Sequence, residues 1–467
     1  MNKIIRRIVG ISSLMLGMGV SAQAAPFTGG NLVIYRVGDG VSLLSSTGSV
    51  VFLDEYATNG ALVQSIQLPV TQSGGNYPFV SSGVATSEGG LSLSADGQYL
   101  LLQGYATNLS YSGTSLASSL STIVPRVVGR ADFNGNIDTS TILSNWATGN
   151  NPRSVVSTDG INIWIGGAGA GFGAGVGYTT LGSNNFTTLN VIAGGVTNKP
   201  LNVARLGIFD GQLYLSTVKT TNGIYAVGTG LPTTTNQAIV ALNGSPGNGV
   251  SGSGTGGPFN FVFLPLQNGS TLDTLYYAED GENNDAAGVF KYSLVGTNWV
   301  FNGAMTINDV NPKGFDGLTG ALEVSGNATS VVLYATSGGA TTGGGGFLYV
   351  FTDTAGYNVA PSGSPTIIAA AGTNTTFRGI AFAPVAFRNL SVVKAGNDMN
   401  IAWSTTGGKR YALQAVTAGP DGRYSTNAFT DVSPTILLPG GTPQTNYVDV
   451  GGATNLPARY YRARQLP

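Results

Sequence analysis

The chain has no cysteine and no histidine in 467 residues. Without cysteine no disulfide can hold it and no thiolate can serve as nucleophile or ligand, so a buried apolar core must supply its stability. Without histidine there is no Ser–His or Cys–His nucleophile, no imidazole acid–base step and no His-ligated zinc, copper or iron. Charge is also scarce. Charged residues make up 9% of the chain, with 21 Lys and Arg against 22 Asp and Glu, for a net charge of −1. That balance offers neither a basic field for nucleic acid nor an acidic block. The chemistry left open belongs to carboxylates, Lys, Tyr and a hard cation bound through oxygen.

Hydrophobic residues, at 42%, are ample for a core, and glycine is abundant at 71 residues. Few helix formers, many turn residues and long Thr, Ser and Asn tracts point to an all-β protein. Residues 1–25 read as a secretory signal peptide: Lys3, Arg6 and Arg7 form a basic start, Ile8 to Val20 is an apolar run too short to span a membrane, and Ala22–Ala24 supplies small residues for cleavage. Arg6–Arg7 invites a twin-arginine reading, but the flanking residues such a pair needs are missing. No later segment is apolar enough over enough length to cross a bilayer as a helix. The expected location is therefore extracellular, periplasmic or at the cell surface.

An apolar strand ending near an aromatic recurs at about 58-residue spacing: Leu32–Tyr35, Tyr99–Leu102, Ile161–Trp164, Gln212–Tyr214, Thr274–Tyr277 and Val331–Tyr334. Four of these follow a first strand and a tight turn at Asp96–Gly97, Asp159–Gly160, Asp210–Gly211 or Asn268–Gly269. Such dipeptides supply the positive φ that short hairpins need. A fixed period of hairpins predicts a six-bladed β-propeller over 26–384, with a seven-bladed ring as the alternative. Its last blade is expected to be split: Phe377–Phe382 would be the innermost strand, and Leu32–Val37, Val50–Tyr56 and Leu62–Leu68 the other three. The period stops after Pro384. Residues 385–467 hold short alternating strands separated by glycine turns, which suits a small β-sandwich with Trp403 in its core.

The stretches Ile401–Ser404, Tyr411–Gln414 and Ala458–Arg464 resemble fibronectin-type or immunoglobulin-like modules. The whole chain resembles secreted bacterial β-propeller proteins that carry such a tail. That resemblance is one of architecture and implies no particular activity.

Two clusters are candidate sites. Glu88, Arg153, Arg205, Lys313, Asp316 and Arg378 stand at or just before first strands, and the propeller topology would gather them at one channel mouth. Glu88, Arg153, Arg205, Asp316 and Arg378 are the candidate ligand-binding residues, suited to an anionic or sugar-like ligand through bidentate contacts. The competing reading is that they pair among themselves and knit adjacent blades. The second cluster is the acidic loop 279–285. Asp280, Glu282, Asn284 and Asp285 would suit calcium, which takes six to eight oxygens, against the reading of a solvated acidic loop. No other cofactor is expected. Asp132, Asn134, Asn136 and Asp138 read as a hairpin turn around Asn134–Gly135 rather than a metal loop.

No catalytic constellation emerges, so the sequence leans against an enzyme without deciding the question. The expected function is a secreted or cell-surface binding protein that uses one propeller face for a glycan or surface protein and works as a monomer. The alternatives are a calcium-dependent hydrolase of a lactone, phosphoester or glycan at the channel mouth, and a structural surface or matrix component.

Overall fold

The structure is a computed structural model. It describes residues 24–466 except 110, 170–172, 191–201, 219–221, 245–256, 268–271, 280–287, 308–313, 326–327, 340, 387–388, 406–409, 426–427, 439–443 and 455–457. Almost all of its regular structure is strand.

Six mostly antiparallel sheets come first. The first sheet orders Thr375–Phe382, Leu32–Val37, Val51–Tyr56 and Leu62–Gln67, with the short Gly344–Gly345 parallel to Thr375–Phe382. The second is Leu91–Leu93, Tyr99–Tyr105, Arg126–Asp132 and Ile137–Leu143. The third is Pro152–Ser157, Asn162–Gly167, Gly175–Thr180 and Thr187–Thr188. The fourth is Val203–Phe209, Gln212–Thr217, Gly223–Val227 and Ile239–Ala241. The fifth is Pro258–Leu264, Thr274–Glu279, Gly288–Val295 and Asn298–Thr306. The sixth is Gly317–Ser325, Ala328–Thr336, Phe347–Asp353 and Thr366–Ala370.

The hairpins form where the turn chemistry places them. Asp210 and Gly211 take φ of 47° and 70°, the paired positive values of a two-residue turn that follows the strand twist. The Asp132 carboxylate accepts the Asn134 and Asn136 amides at 2.9 Å, so that segment is a self-bonded turn. The expected pairing of the two chain ends is present, with Leu32 opposite Phe382 and Ile34 opposite Ile380.

The β-propeller expectation is corrected. The sheets are separate, and none is closed or curled on itself. The terminal pairing completes one sheet without closing any. Neither a six- nor a seven-bladed propeller is assigned, and the resemblance to secreted propeller proteins with a fibronectin-type tail is not supported. The physical reason is that a period of hairpins reports which strands pair locally, whereas closure depends on contacts far apart in sequence that a period does not encode.

What positions the site is how the inner strands meet. Leu91–Leu93 touches Pro152–Ser157, which touches Val203–Phe209; the series runs on through Pro258–Leu264, Gly317–Ser325 and Thr375–Phe382, and the last of these touches Leu91–Leu93. Apolar cores lie between neighbouring sheets. One packs Val156 and Trp164 of the third sheet against Leu206, Leu213 and Leu215 of the fourth. Another packs Tyr276 and Val289 of the fifth against Leu318, Leu333 and Phe351 of the sixth. The second of these seams also holds a buried clasp: the Lys291 ammonium donates to Asp353 at 2.8 Å, and the Tyr276 hydroxyl donates to the same oxygen at 2.6 Å.

From Asn389 onward the described strands pair only with one another. Asn389–Ala395, Asp398–Ser404 and Gln444–Asp449 form one sheet; Arg410–Thr417 pairs with Thr430–Asp431, Ile436–Leu437 and Arg459–Leu466 in another. Ile401 and Trp403 of the former share a core with Tyr411 and Leu413 of the latter, and Trp403 is fully buried there.

Candidate functional site

The inner strands have two different ends. At their starts stand Glu88, Arg153, Arg205, Asp316 and Arg378, all of them buried. Arg205 is the hub. Its guanidinium donates to the Ser87 carbonyl at 3.2 Å, the Ala204 carbonyl at 2.9 Å and the Asp316 carbonyl at 2.9 Å, and it lies 4.3 Å over the Phe259 ring. One side chain of the fourth sheet thereby reaches the approaches to the second and the sixth. Arg378 pairs with the Asp316 carboxylate at 3.3 Å and donates to the Gly339 carbonyl at 3.3 Å. Glycine makes room for this: a Cβ on Gly338 would sit 2.3 Å from both the Arg378 guanidinium and the Asp316 carboxylate. Arg153 donates to the side-chain oxygen of Asn202.

Glu88 accepts four bonds: Ser81 Oγ at 3.0 Å, Ser82 N at 2.6 Å, Tyr105 Oη at 2.7 Å and Asn151 Nδ2 at 3.1 Å. Burial nevertheless dominates and raises its pKa. Tyr105 is pushed up by burial and then by the charge of Glu88. Arg126, which no sequence signal singled out, is fully buried over the Tyr105 ring and donates to the carbonyls of Ser119, Val124, Ala147 and Asn150. The five candidate residues thus share one end, where they bond to main-chain groups, neighbouring polar side chains and one another. Lys313, Asp280, Glu282, Asn284 and Asp285 lie outside the described residues. Among the described residues no group of three or more carboxylates is placed to hold a metal ion.

Beyond these charged starts the inner strands are mainly apolar, and together they line an open cavity of about 620 Å³. Each of the six sheets contributes to its wall, through Ile380, Leu93, Val156, Leu206, Phe261 and Leu318. Phe209, Phe261 and Phe263 form an aromatic corner with ring centroids 5.2–5.8 Å apart. The C-terminal sheets complete the lining with Arg410, Leu437, Ala463, Arg464 and Gln465. They are tied to the inner strands by an Arg410–Asp210 ion pair, by the Gln465 amide donating to the Ala95 carbonyl, and by Val385 N donating to the Gly97 carbonyl at 2.9 Å. The sequence reading missed this cavity. The signal was present as the apolar runs 206–209 and 259–264, but a run of that kind reads equally well as packed core.

The expected functions are corrected with the fold. No propeller channel mouth is found, the candidate charges there are buried, and no calcium cluster is found among the described residues. The face-binding and calcium-hydrolase readings depended on that frame, and neither they nor the structural-component reading is kept.

No family model and no curated protein matches the chain. Among solved structures it is similar to the GH74 xyloglucanase from Xanthomonas campestris, at 11% identity and a TM-score of 0.36, over 82% of this chain and 59% of that one. It is similar to an α-L-arabinanase from Penicillium chrysogenum, at 12% identity and 0.32, over 80% of this chain and 93% of that one. It is also similar to dipeptidyl peptidase 4 from Porphyromonas gingivalis, at 9% and 0.31, over 79% and 50%. At these scores the likenesses carry no argument about fold or function. No described helix is long and apolar enough to cross a membrane.

Proposed function

We propose that the chain binds a small, largely apolar molecule in the cavity between the inner strands and the C-terminal sheets. One observation carries this reading: a wall of Leu, Ile, Val and Phe drawn from six sheets surrounds about 620 Å³ that side chains do not fill. Apolar surfaces that meet in a core pack to crystal density, and here they stand apart around an open hollow. Its size and its apolar lining with a few polar groups suit a drug-sized ligand. The test uses the chain from residue 26 to 467 and an environment-sensitive apolar dye. Saturable one-to-one binding, with a melting temperature that rises with dye concentration, is expected. Ile208→Trp, which enlarges a side chain of the cavity lining, should abolish it. Absent binding, or binding unchanged in Ile208→Trp, overturns the reading.

Residues 1–25 are proposed to direct export and to be removed, on the strength of their basic start, short apolar run and small-residue site. The mass of the exported chain tests this. Two units, 26–384 and 385–467, are proposed from the separate strand pairing on either side of Pro384. A ligand role for Glu88, Arg153, Arg205, Asp316 and Arg378 stands as a proposal that their burial weighs against. The same burial supports a holding role.

A further inference from the structure

The polar groups of the cavity are not scattered. Arg410 and Arg464 both come from the C-terminal sheets, and Asp210 and Asp96 come from the turns that end inner strands. Asp96 is occupied by its own turn, accepting from Ser94 Oγ at 2.6 Å, Gln98 N at 3.1 Å and Gln98 Nε2 at 2.8 Å. Asp210 is paired with Arg410 at the cavity margin, with side chains 31% and 14% exposed. Arg464 is paired with Asp431 at 2.9 Å, but both side chains are nearly half exposed, at 46% and 42%. An exposed pair of that kind is held weakly. The C-terminal sheets therefore bring two arginines, Arg410 and Arg464, into the lining of an apolar hollow, and each guanidinium is engaged by a carboxylate that a ligand could replace.

We infer that the occupant is an amphipathic monoanion, an apolar chain or ring system ending in a carboxylate-like head, with the head held by Arg410 and Arg464. This rests on the cavity being the binding site. Guanidinium groups match a carboxylate in planar, two-pronged geometry, and the match strengthens where the apolar wall lowers the local dielectric. The tail would occupy the aromatic corner of Phe209, Phe261 and Phe263. The ligand head competes with Asp210 for Arg410, so occupancy and the Arg410–Asp210 pair are coupled.

The experiment compares decanoate with decanol at pH 7 by displacement of the apolar dye from the chain 26–467. Decanoate should bind at least tenfold more tightly. Within the fatty acid series, two added methylenes should tighten binding about tenfold until the chain outgrows the cavity. Arg410→Gln together with Arg464→Gln should erase the difference between acid and alcohol. Asp210→Asn is the decisive variant. Asp210 has a φ of 47°, which Asn tolerates well, so the turn is retained. Removing the competing carboxylate should tighten decanoate several-fold and leave decanol unchanged. A gain of this kind does not arise from misfolding. If dye and decanol bind but decanoate binds no better, or Asp210→Asn weakens decanoate, the head-group inference fails while the cavity reading stands. If neither dye nor either probe binds, both fail.

Discussion

The two ends of the inner strands are built from the same short segments and behave as opposites. Arg205 and Leu206 are adjacent, yet the former lies in a filled, charged cluster and the latter borders a hollow. At the charged end the polar groups are spent on main-chain carbonyls, and one arginine ties three sheets together. At the apolar end the wall meets little in return. A buried charge is costly unless it is fully bonded, so a charged cluster demands close packing around it. An apolar wall carries no such demand, because an empty apolar space leaves no polar group unsatisfied. The charged end is accordingly expected to be where stability is concentrated, and the apolar end where occupancy can vary.

The largest effect that can break this comparison is Arg205→Ala. It leaves the Ser87 and Asp316 carbonyls without that donor and opens a void over Phe259, so a loss of about 3–5 kcal/mol in denaturant unfolding is expected, with dye binding at 25 °C retained while the protein stays folded. An unchanged unfolding midpoint with lost ligand retention would instead make Arg205 a ligand contact.

Next comes a paired truncation in one strand-turn-strand unit. Leu213 is fully buried between sheets, and Leu213→Ala should cost about 3 kcal/mol. Ile208 borders the cavity, and Ile208→Ala should cost about 1 kcal/mol, because part of its surroundings is already empty. Equal costs would mean that the hollow is in fact packed.

A smaller effect is expected in the pH dependence of the charged end. Burial raises the pKa of Glu88, so the folded state holds its proton to higher pH than the unfolded chain does. Between the unfolded and the folded value the native state binds more protons, and stability from this group must fall as pH rises. Glu88→Gln should flatten that part of the melting-temperature profile above the ordinary carboxylate range. A profile identical to that of the parent would show Glu88 to be ordinary. Asp353 has the opposite sign. Burial works against its charge, but the bonds from Lys291, Tyr276, Ser362 and Ala355 outweigh it and hold its pKa low. Its contribution is present above the unfolded carboxylate pKa and is lost as pH falls through the folded value. Lys291→Met should remove much of that acid-side slope.

The smallest expected change is Arg464→Gln, below about 0.5 kcal/mol, because its ion pair is exposed. A larger loss would place Arg464 in the holding machinery rather than at a ligand head.

Much of the local architecture was legible in the residues. Asp-Gly turns, alternation of apolar residues and β-branched runs set where strands begin and end, since those choices depend on φ preferences and on neighbours two residues away. The pairing of Leu32–Val37 with Phe377–Phe382 could be read because each segment lacked a partner nearby in sequence. The expectation that Glu88, Arg153, Arg205, Asp316 and Arg378 meet at a channel mouth rested on the propeller topology and lost its frame with it, whereas Trp403 could be marked as a core aromatic from the alternating pattern around it, and it is fully buried. The step from a period of hairpins to a propeller did not follow, because closure is a long-range property that no local signal carries. Arg126 was invisible, since its partners are carbonyls from loops elsewhere in the chain. So was the cavity. Leu206 and Leu213 are the same residue type seven positions apart, and the sequence marks both as apolar. Only the tertiary structure decided that both pack into one core while Leu206 alone also borders the cavity. That distinction depends on the separation between sheets, which is fixed by how six inner strands and two C-terminal sheets pack together.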